Sequence, residues 1–279
     1  MTDSSRIHEA AQIHPTAIIA DGAVIGKDVV IGPYCVIGKD VTLDEGVKLV
    51  SHVCVDGITH IGVHSLIYPF ASIGHAPQDL KYNGEPSTVT IGKNTTIREY
   101  VTIQPGTTSG GMKTTVGNDC LLMVGVHVAH DCYVGNNVVM ANYATLAGHV
   151  IIEDHVIIGG LSAIKQFVRI GAYAMIGGMS GVEKDVVPYA MVLGERANLH
   201  GVNIVGMKRH GFSNAEIQQV QAIYKNVFNE DDDAPFNARV QKQRESFVTA
   251  NQDRATQIVF DFMDGDTKCH FCMPKSGRG

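Results

Sequence analysis

From Ile13 onward an aliphatic residue stands at every sixth position: Ile19, Ile25, Ile31, Ile37, Leu43, Leu49, Val55, Ile61, Ile67 and Ile73 follow in phase. The phase returns at Ile91, Ile97 and Ile103. It then shifts by one residue and runs from Val116 through Leu122, Val128, Val134, Met140, Leu146, Ile152, Ile158, Ile164, Ile170 and Ile176 to Val182. The position two before each aliphatic is small or β-branched, as at Ala23, Val29, Cys35, Cys120, Cys132 and Ala174, and glycine often follows the aliphatic, as at Gly26, Gly32, Gly135 and Gly159. A helix would smear this period around its surface, and a simple alternating sheet has no need of glycine at one fixed place. A solenoid satisfies both. Each hexapeptide supplies a short strand and a turn, the aliphatic points into the stack, glycine permits tight corners, and three hexapeptides close a triangular coil.

The pattern therefore predicts an all-β solenoid, a parallel β-helix over residues 1–192, with loops at 74–90 and 104–115 where the period fails. Both loops are expected to rim a cleft. Regularity ends near Tyr189. A start signal at Ser213 or Asn214 precedes Ile217, Val220, Ile223, Tyr224, Val227 and Phe228, which predicts a helix over 212–228. After the acidic run 230–233 and Pro235, further helices are expected over 236–249 and 253–263. Residues 193–279 thus read as a C-terminal α-helical domain with a polar tail, packed beside the solenoid or against a neighbouring subunit.

Composition narrows the partners. Among 279 residues, 22 Lys and Arg against 28 Asp and Glu give a net charge of −6, which offers no global attraction to nucleic acid or anionic membrane. No apolar run approaches the ~20 residues that span a bilayer, and the polar start MTDSSRIHEAAQ lacks the plan of a secretory signal. The expectation is a cytoplasmic protein without membrane insertion. Cys35, Cys120 and Cys132 fall on interior positions, so packing explains them. Cys54 has no assigned role. In the tail KCHFCMPKSGRG, Cys269 and Cys272 flank His270, but without a second CxxC no zinc site is expected.

Chemistry concentrates in VGVHVAHDCYVG, residues 124–135, where His127 and His130 stand three apart and Asp131 follows. Stacking of coils sets His130 below Gly148 and beside His149, with Lys165 and Gln166 one coil further. HVAHD, LAGH and AIKQF can therefore converge on one strip. Three histidines, His127, His130 and His149, can hold zinc, as in a metal-dependent β-helix enzyme resembling carbonic anhydrase. A histidine is equally the natural base for taking a proton from an alcohol, which would then attack a thioester and need donors for the tetrahedral oxyanion. A non-catalytic scaffold that binds sugar nucleotides is a third reading. Spacing alone leaves these open.

The segments ASIGHAPQDLKYNGEPSTVTIG, IREYVTIQPGT, LLMVGVHVAHDCYVG, ATLAGHV, IIGGLSAIKQF, GGMSGVEKDVVPY and GVNIVGMKRHGFS together resemble the acyl-ACP:UDP-N-acetylglucosamine O-acyltransferase family of lipid A biosynthesis, over about residues 10–230. The resemblance implies a left-handed homotrimeric β-helix with C-terminal helices. It implies transfer of an R-3-hydroxyacyl chain from acyl carrier protein to the 3-hydroxyl of UDP-N-acetylglucosamine, without metal or other cofactor. Carried over by residue, it makes His130 the general base, Asp131 its orienting partner, and the Gly148 N–H an oxyanion donor. His127 and His149 become substrate-positioning histidines. Gln78, Asp79 and Lys81 match substrate contacts from an adjoining subunit, Gln166, Asn203 and Arg209 match nucleotide-sugar contacts, and Gly178 matches a position on the acyl groove. Lys165 stands where the family often has histidine, Arg196 and His210 replace residues that vary or are otherwise basic, and Val205 falls where an acidic contact is common. Lys165 and Arg196 are carried as substrate-side candidates. The acidic carrier needs a local basic patch, for which Lys165, Arg169, Arg196, Lys208 and Arg209 are available.

Overall fold

The computed structural model describes residues 6–229, 232–248 and 253–275. The first five residues of the polar start, the acids at 230 and 231, Thr249 at the end of the third expected helix and the last four tail residues lie outside the described residues.

Short strands, mostly of two residues, stack into three sheets of 11, 9 and 8 strands that form the faces of a left-handed parallel β-helix. Gln12 pairs with Val30 and Ile13 with Ile31, so successive rungs of a face are 18 residues apart. The periodic aliphatics fill the interior: from Ile25 through Val182 they are at most 2% exposed. Each such side chain contributes roughly 1.5–3 kcal/mol by leaving water, and the repeated burial fixes the register, because a one-residue slip would turn every aliphatic outward. The small residues two positions earlier are also interior, Cys35, Cys120 and Cys132 among them. The first coil is the least covered of the described residues, with the interior aliphatics Ile13 and Ile19 only half-buried.

Glycine does not do what the period suggests. The corners have left-handed backbone, yet most of the residues that adopt it are not glycine: Tyr34, Asp131, Tyr143, His149, Leu161, Phe167 and Tyr173 all have φ near +60°. The glycines that follow the aliphatics serve the spacing of rungs instead. A Cβ on Gly32 would lie 1.7 Å from the Val50 carbonyl oxygen, and one on Gly159 would lie 2.4 Å from the Gly178 nitrogen. Non-glycine left-handed residues cost roughly 1–2 kcal/mol each, and the rung hydrogen bonds that converge on each corner hold them there. His149 N–H, for example, donates to His130 O at 3.0 Å.

Corner side chains consequently point outward in columns. One corner carries Asp131, His149 and Phe167; a second carries Tyr34, His52, Phe70, Tyr100, Tyr143, Leu161 and Met179; a third carries Asn137, His155 and Tyr173. On the second, the ring centroids of Tyr34, His52, Phe70 and Tyr100 succeed one another at 4.9, 5.1 and 5.1 Å.

The two interruptions are shorter than the sequence period indicates. Thr88–Ile91 and Lys113–Val116 are four-residue strands that pair with each other, and the first pairs with Ile58–Ile61, so both loops return to the coil before residues 90 and 115. Alternation within TVTI puts Val89 and Ile91 inside, which a six-residue period does not register.

After Gly181–Val182 an antiparallel hairpin, Ala190–Leu193 with Asn198–Val202, closes the end of one face. Among the described residues four helices follow: α1 Ile204–Arg209, α2 Asn214–Val227, α3 Phe236–Val248 and α4 Arg254–Asp264. Helix α2 starts at a capping box in which Ser213 Oγ accepts from Glu216 N–H at 3.2 Å and Glu216 Oε2 accepts from Ser213 N–H at 2.7 Å. Its buried stripe, Ile217, Val220, Ile223, Tyr224 and Val227, faces inward, and the Tyr224 hydroxyl donates to Pro188 O. The hairpin and α1 carry no period that a sequence reading could use. The CxxC tail forms a strap along the solenoid: Phe271 bridges to Asp185 and Pro274 to Leu199. Cys272 N–H donates to Asp185 O at 2.8 Å, and the Cys272 thiol is buried.

Candidate functional site

The first corner becomes a site because two loops fold over it. His130 is 7% exposed, and its Nδ1 lies 2.9 Å from Asp131 Oδ2. Asp131 is held from the opposite side by the 104–112 loop. Thr107 N–H donates to Oδ1 at 2.9 Å, the Thr107 hydroxyl to Oδ2 at 2.6 Å, and Gly111 N–H to Oδ1 at 3.0 Å. A Cβ on Gly110 would stand 2.0 Å from the carboxyl carbon, so glycine is what lets the loop close on it. Burial works against the charge of Asp131, but the Thr107 and His130 hydrogen bonds outweigh it and hold the carboxyl below its usual range. The QPGTTSGG stretch is therefore a carboxylate clamp, which the sequence reading missed and its glycines could have signalled.

Gly148 sits on the exposed face of this pair. A Cβ there would lie 2.4 Å from His130 Cε1 and 2.6 Å from Nε2, so only glycine leaves room for the ring. Gly148 is a buried residue, and its N–H donates to no acceptor among the described residues. A backbone donor without a protein acceptor is left for water or a ligand. The His149 ring meets His130 edge-on at 5.0 Å and stacks on Phe167 at 4.6 Å. Burial keeps His149 below its ordinary value, although Asp131, 3.9 Å away, pulls the other way.

The second loop supplies the opposite wall. Gln78 N–H donates to Gln104 Oε1 at 3.1 Å, Lys81 N–H donates to Asp79 Oδ1 at 3.0 Å, and Asp79 Oδ2 lies 4.0 Å from His130 Nε2. A cavity of about 510 Å³ is lined by Gln78, Asp79, Lys81, His130, His149 and Gln166, with Phe167 and Ser109 at its edge. All of these belong to one chain. The loop that carries Lys81 thus reaches the His130 of its own chain. Ser72–Ile73 pairs with Thr102–Ile103, which pairs with His127–Val128, so the loop starts two rungs from the histidine. That is about 10 Å at ~4.8 Å per rung, a reach of three extended residues.

Other candidates fall elsewhere in the chain. His127 is half-buried on the adjoining face with Nδ1 2.7 Å from Thr102 Oγ1, and burial, then His130, keeps it below its ordinary value. Lys165 is exposed and outside the cavity lining, and Arg196 lies exposed in the hairpin turn. Gly178 belongs to the second corner, beside Gly160. Asn203 is buried and caps α1: its Oδ1 accepts from Gly206 N–H and its Nδ2 donates to Tyr173 O, both at 3.0 Å. Arg209 is exposed at the end of α1, near the third corner, where His210 packs on His155 and Tyr173. The chain thus brings together Gln78, Asp79, Lys81, His130, Asp131, Gly148, His149 and Gln166, and leaves Gly178, Asn203 and Arg209 on its other two corners. Arg169, expected among the docking cations, is half-buried against the Phe262 ring.

For a metal, the group of suitable geometry is His130, Asp131 and His149, whose ligand atoms lie within 4.8 Å of one another, rather than the three histidines. The fit is poor: His127 is turned to Thr102, and both Asp131 oxygens already accept from protein donors. Chemically, the arrangement is a histidine oriented through Nδ1 by a fixed carboxylate, with Nε2 on the cavity side.

Hexapeptide-repeat profiles match residues 4–39, 22–57 and 113–148. The profile "Udp N-acetylglucosamine O-acyltransferase; Domain 2" matches residues 185–270. Among solved structures, the UDP-N-acetylglucosamine O-acyltransferase of Moraxella catarrhalis is 40% identical, with 95% of this chain and 99% of that one covered and a TM-score of 0.82. The UDP-N-acetylglucosamine acyltransferase of Campylobacter jejuni is 35% identical, covering 95% and 100%, with a TM-score of 0.86. That of Francisella novicida is 34% identical, covering 97% and 95%, at 0.84. On fold, length and sequence together, the chain belongs to the UDP-N-acetylglucosamine O-acyltransferase family.

Proposed function

We propose that this enzyme transfers an R-3-hydroxyacyl chain from acyl carrier protein to the 3-hydroxyl of UDP-N-acetylglucosamine, the first step of lipid A biosynthesis, with His130 as general base. The observation that carries the reading is the His130–Asp131 pair, bonded at 2.9 Å, with the carboxylate clamped from behind and the ring facing the cavity. With its Nδ1 proton donated to Asp131, His130 presents a basic Nε2. It takes the hydroxyl proton as the sugar oxygen bonds to the thioester carbonyl carbon. The carbonyl oxygen becomes an oxyanion, for which the free N–H of Gly148 is a donor. Collapse breaks the carbon–sulfur bond, and His130 returns its proton to the departing thiolate. Gln78, Asp79, Lys81, His149 and Gln166 line the space in which the acceptor sugar would be held.

The same reading makes the enzyme a cytoplasmic homotrimer. Gly178, Asn203 and Arg209 can serve a site built on His130 only if a neighbouring chain brings its own second and third corners to it. The second corner supports such packing, since Tyr34, Phe70, Tyr100, Tyr143, Leu161 and Met179 are 49–73% exposed along its length. Contiguous apolar exposure of that kind marks an interaction surface. No helix among the described residues is long and apolar enough to cross a membrane. The test is mass spectrometry of the product from an R-3-hydroxyacyl carrier thioester and UDP-N-acetylglucosamine. Wild-type protein should form the O-acyl sugar nucleotide and His130→Ala should lose about 10²–10⁴-fold in rate; no product from the folded wild type would refute the assignment.

A further inference from the structure

Behind the His149–Phe167 stack lies a second cavity, of about 380 Å³, which shares Ser109, His149 and Phe167 with the first. Its far side is built by the C-terminal strap. Arg169 is fixed there: its Nη1 donates to Asp266 O and its Nη2 to Phe262 O, both at 3.1 Å, while its guanidinium lies 4.1 Å from the centre of the Phe262 ring. Gly265 permits this approach, since a Cβ there would lie 2.8 Å from Arg169 Nη2. The strap is held in turn by Thr267, whose hydroxyl donates to Asp185 Oδ2 at 2.5 Å, and by the bridge of Phe271 to Asp185. It delivers Lys268, whose Nζ sits 4.4 Å from the centre of the Phe167 ring.

Neither cation has a carboxylate within 4.0 Å among the described residues. Of the two acids in the lining, Asp131 is committed to its clamp and Asp266 is exposed to solvent. Two cations outside ion-pair distance of any described carboxylate, one rigid in the field of Glu153 and Asp185 and one on a flexible stem, are the donor set that phosphate oxygens take. We propose that this second cavity binds a phosphate group of a substrate whose reacting end occupies the His130 cavity, with Lys268 as the residue that closes on it. The inference rests on the acyl-transfer reading, in which both substrates carry phosphate: the diphosphate of the sugar nucleotide and the phosphodiester of the carrier's pantetheine arm.

Calorimetry at low salt separates these sources, with UDP and 4′-phosphopantetheine as probes on wild-type, Lys268→Gln and Lys268→Arg proteins. Lys268 is exposed, so the variants should fold. The glutamine variant should lose about tenfold in affinity for one of the two probes, the scale of a charge-assisted hydrogen bond, and arginine should restore most of it. Pantetheine without its phosphate should bind all three proteins alike. Unchanged affinity for both probes, failure of wild type to bind either, or an equal loss for the dephosphorylated probe overturns the proposal. Binding is read without turnover, so an absent acyl product in the mass-spectrometric assay would count against the reaction and not against this site.

Discussion

Gly148→Ala separates two roles that a glycine at this place can have. The substitution keeps the backbone N–H and adds one methyl group, at a residue whose φ is outside the left-handed region. That methyl would stand 2.4 Å from His130 Cε1 and 2.6 Å from Nε2, whereas carbon contacts seldom close below about 3.4 Å, so the ring must retreat by roughly 1 Å. Retreat is blocked by Asp131, 2.9 Å behind it and fastened to Thr107 and Gly111. A misplacement of about 1 Å can cost ~10²-fold, or about 2.7 kcal/mol of transition-state stabilisation, and overpacking costs a further ~1–3 kcal/mol of fold stability. Single-turnover rates with saturating substrates should therefore fall about 100-fold, while Tm drops by only several degrees. In a His130→Ala background, Gly148→Ala should change the rate by less than about threefold, because no ring remains to be displaced. A wild-type rate in Gly148→Ala would show that the ring has room the geometry denies.

Asp131→Asn should lower stability near neutral pH. The carboxyl's folded pKa is depressed, so its contribution is fully present above the unfolded value near ~3.9 and is lost as pH falls through the folded one; denaturant midpoints of variant and wild type should converge in acid, and a gap that widens there refutes the clamp. Mixed oligomers of His130→Ala and Lys81→Ala should stay inactive, because both residues serve the same chain's cavity. Mixtures of His130→Ala with Arg209→Ala should regain activity if a neighbour supplies Arg209, and the pattern reversed would require the loop to swap between chains. Elemental analysis after chelation should find full activity without stoichiometric zinc; restoration of activity by zinc alone would make His130, Asp131 and His149 a metal site.

The coil was legible because it is a local pattern: one aliphatic at Ile25, Ile31 or Val134 states its own place, and pairing partners follow by counting. His130, Gly148 and Gln166 could be aligned for the same reason. The roles of Thr107 and Gly111 could not, since they depend on where a loop lands after it leaves the register. Asn203 shows the converse problem. Its amide is consumed by a helix cap and by Tyr173 O, a use that no motif distinguishes from ligand binding. The strap was likewise hidden, because Phe271 and Asp185 are far apart in sequence and only the folded hairpin end brings them together.

The thinly covered first coil gives the molecule a direction of melting. In a one-dimensional stack each rung is held by its two neighbours, so unfolding proceeds from whichever end costs least. That end is the one where the interior aliphatics Ile13 and Ile19 are only half covered, whereas the far end is sealed by the hairpin, α2 and the strap. Several rungs separate Ile19 from His130, and amide exchange should sweep along them in order. The first coils thus act as a fuse: thermal fluctuation is spent there, and the rungs under Asp131, His149 and Phe167 keep their hydrogen bonds while the opposite end opens and recloses.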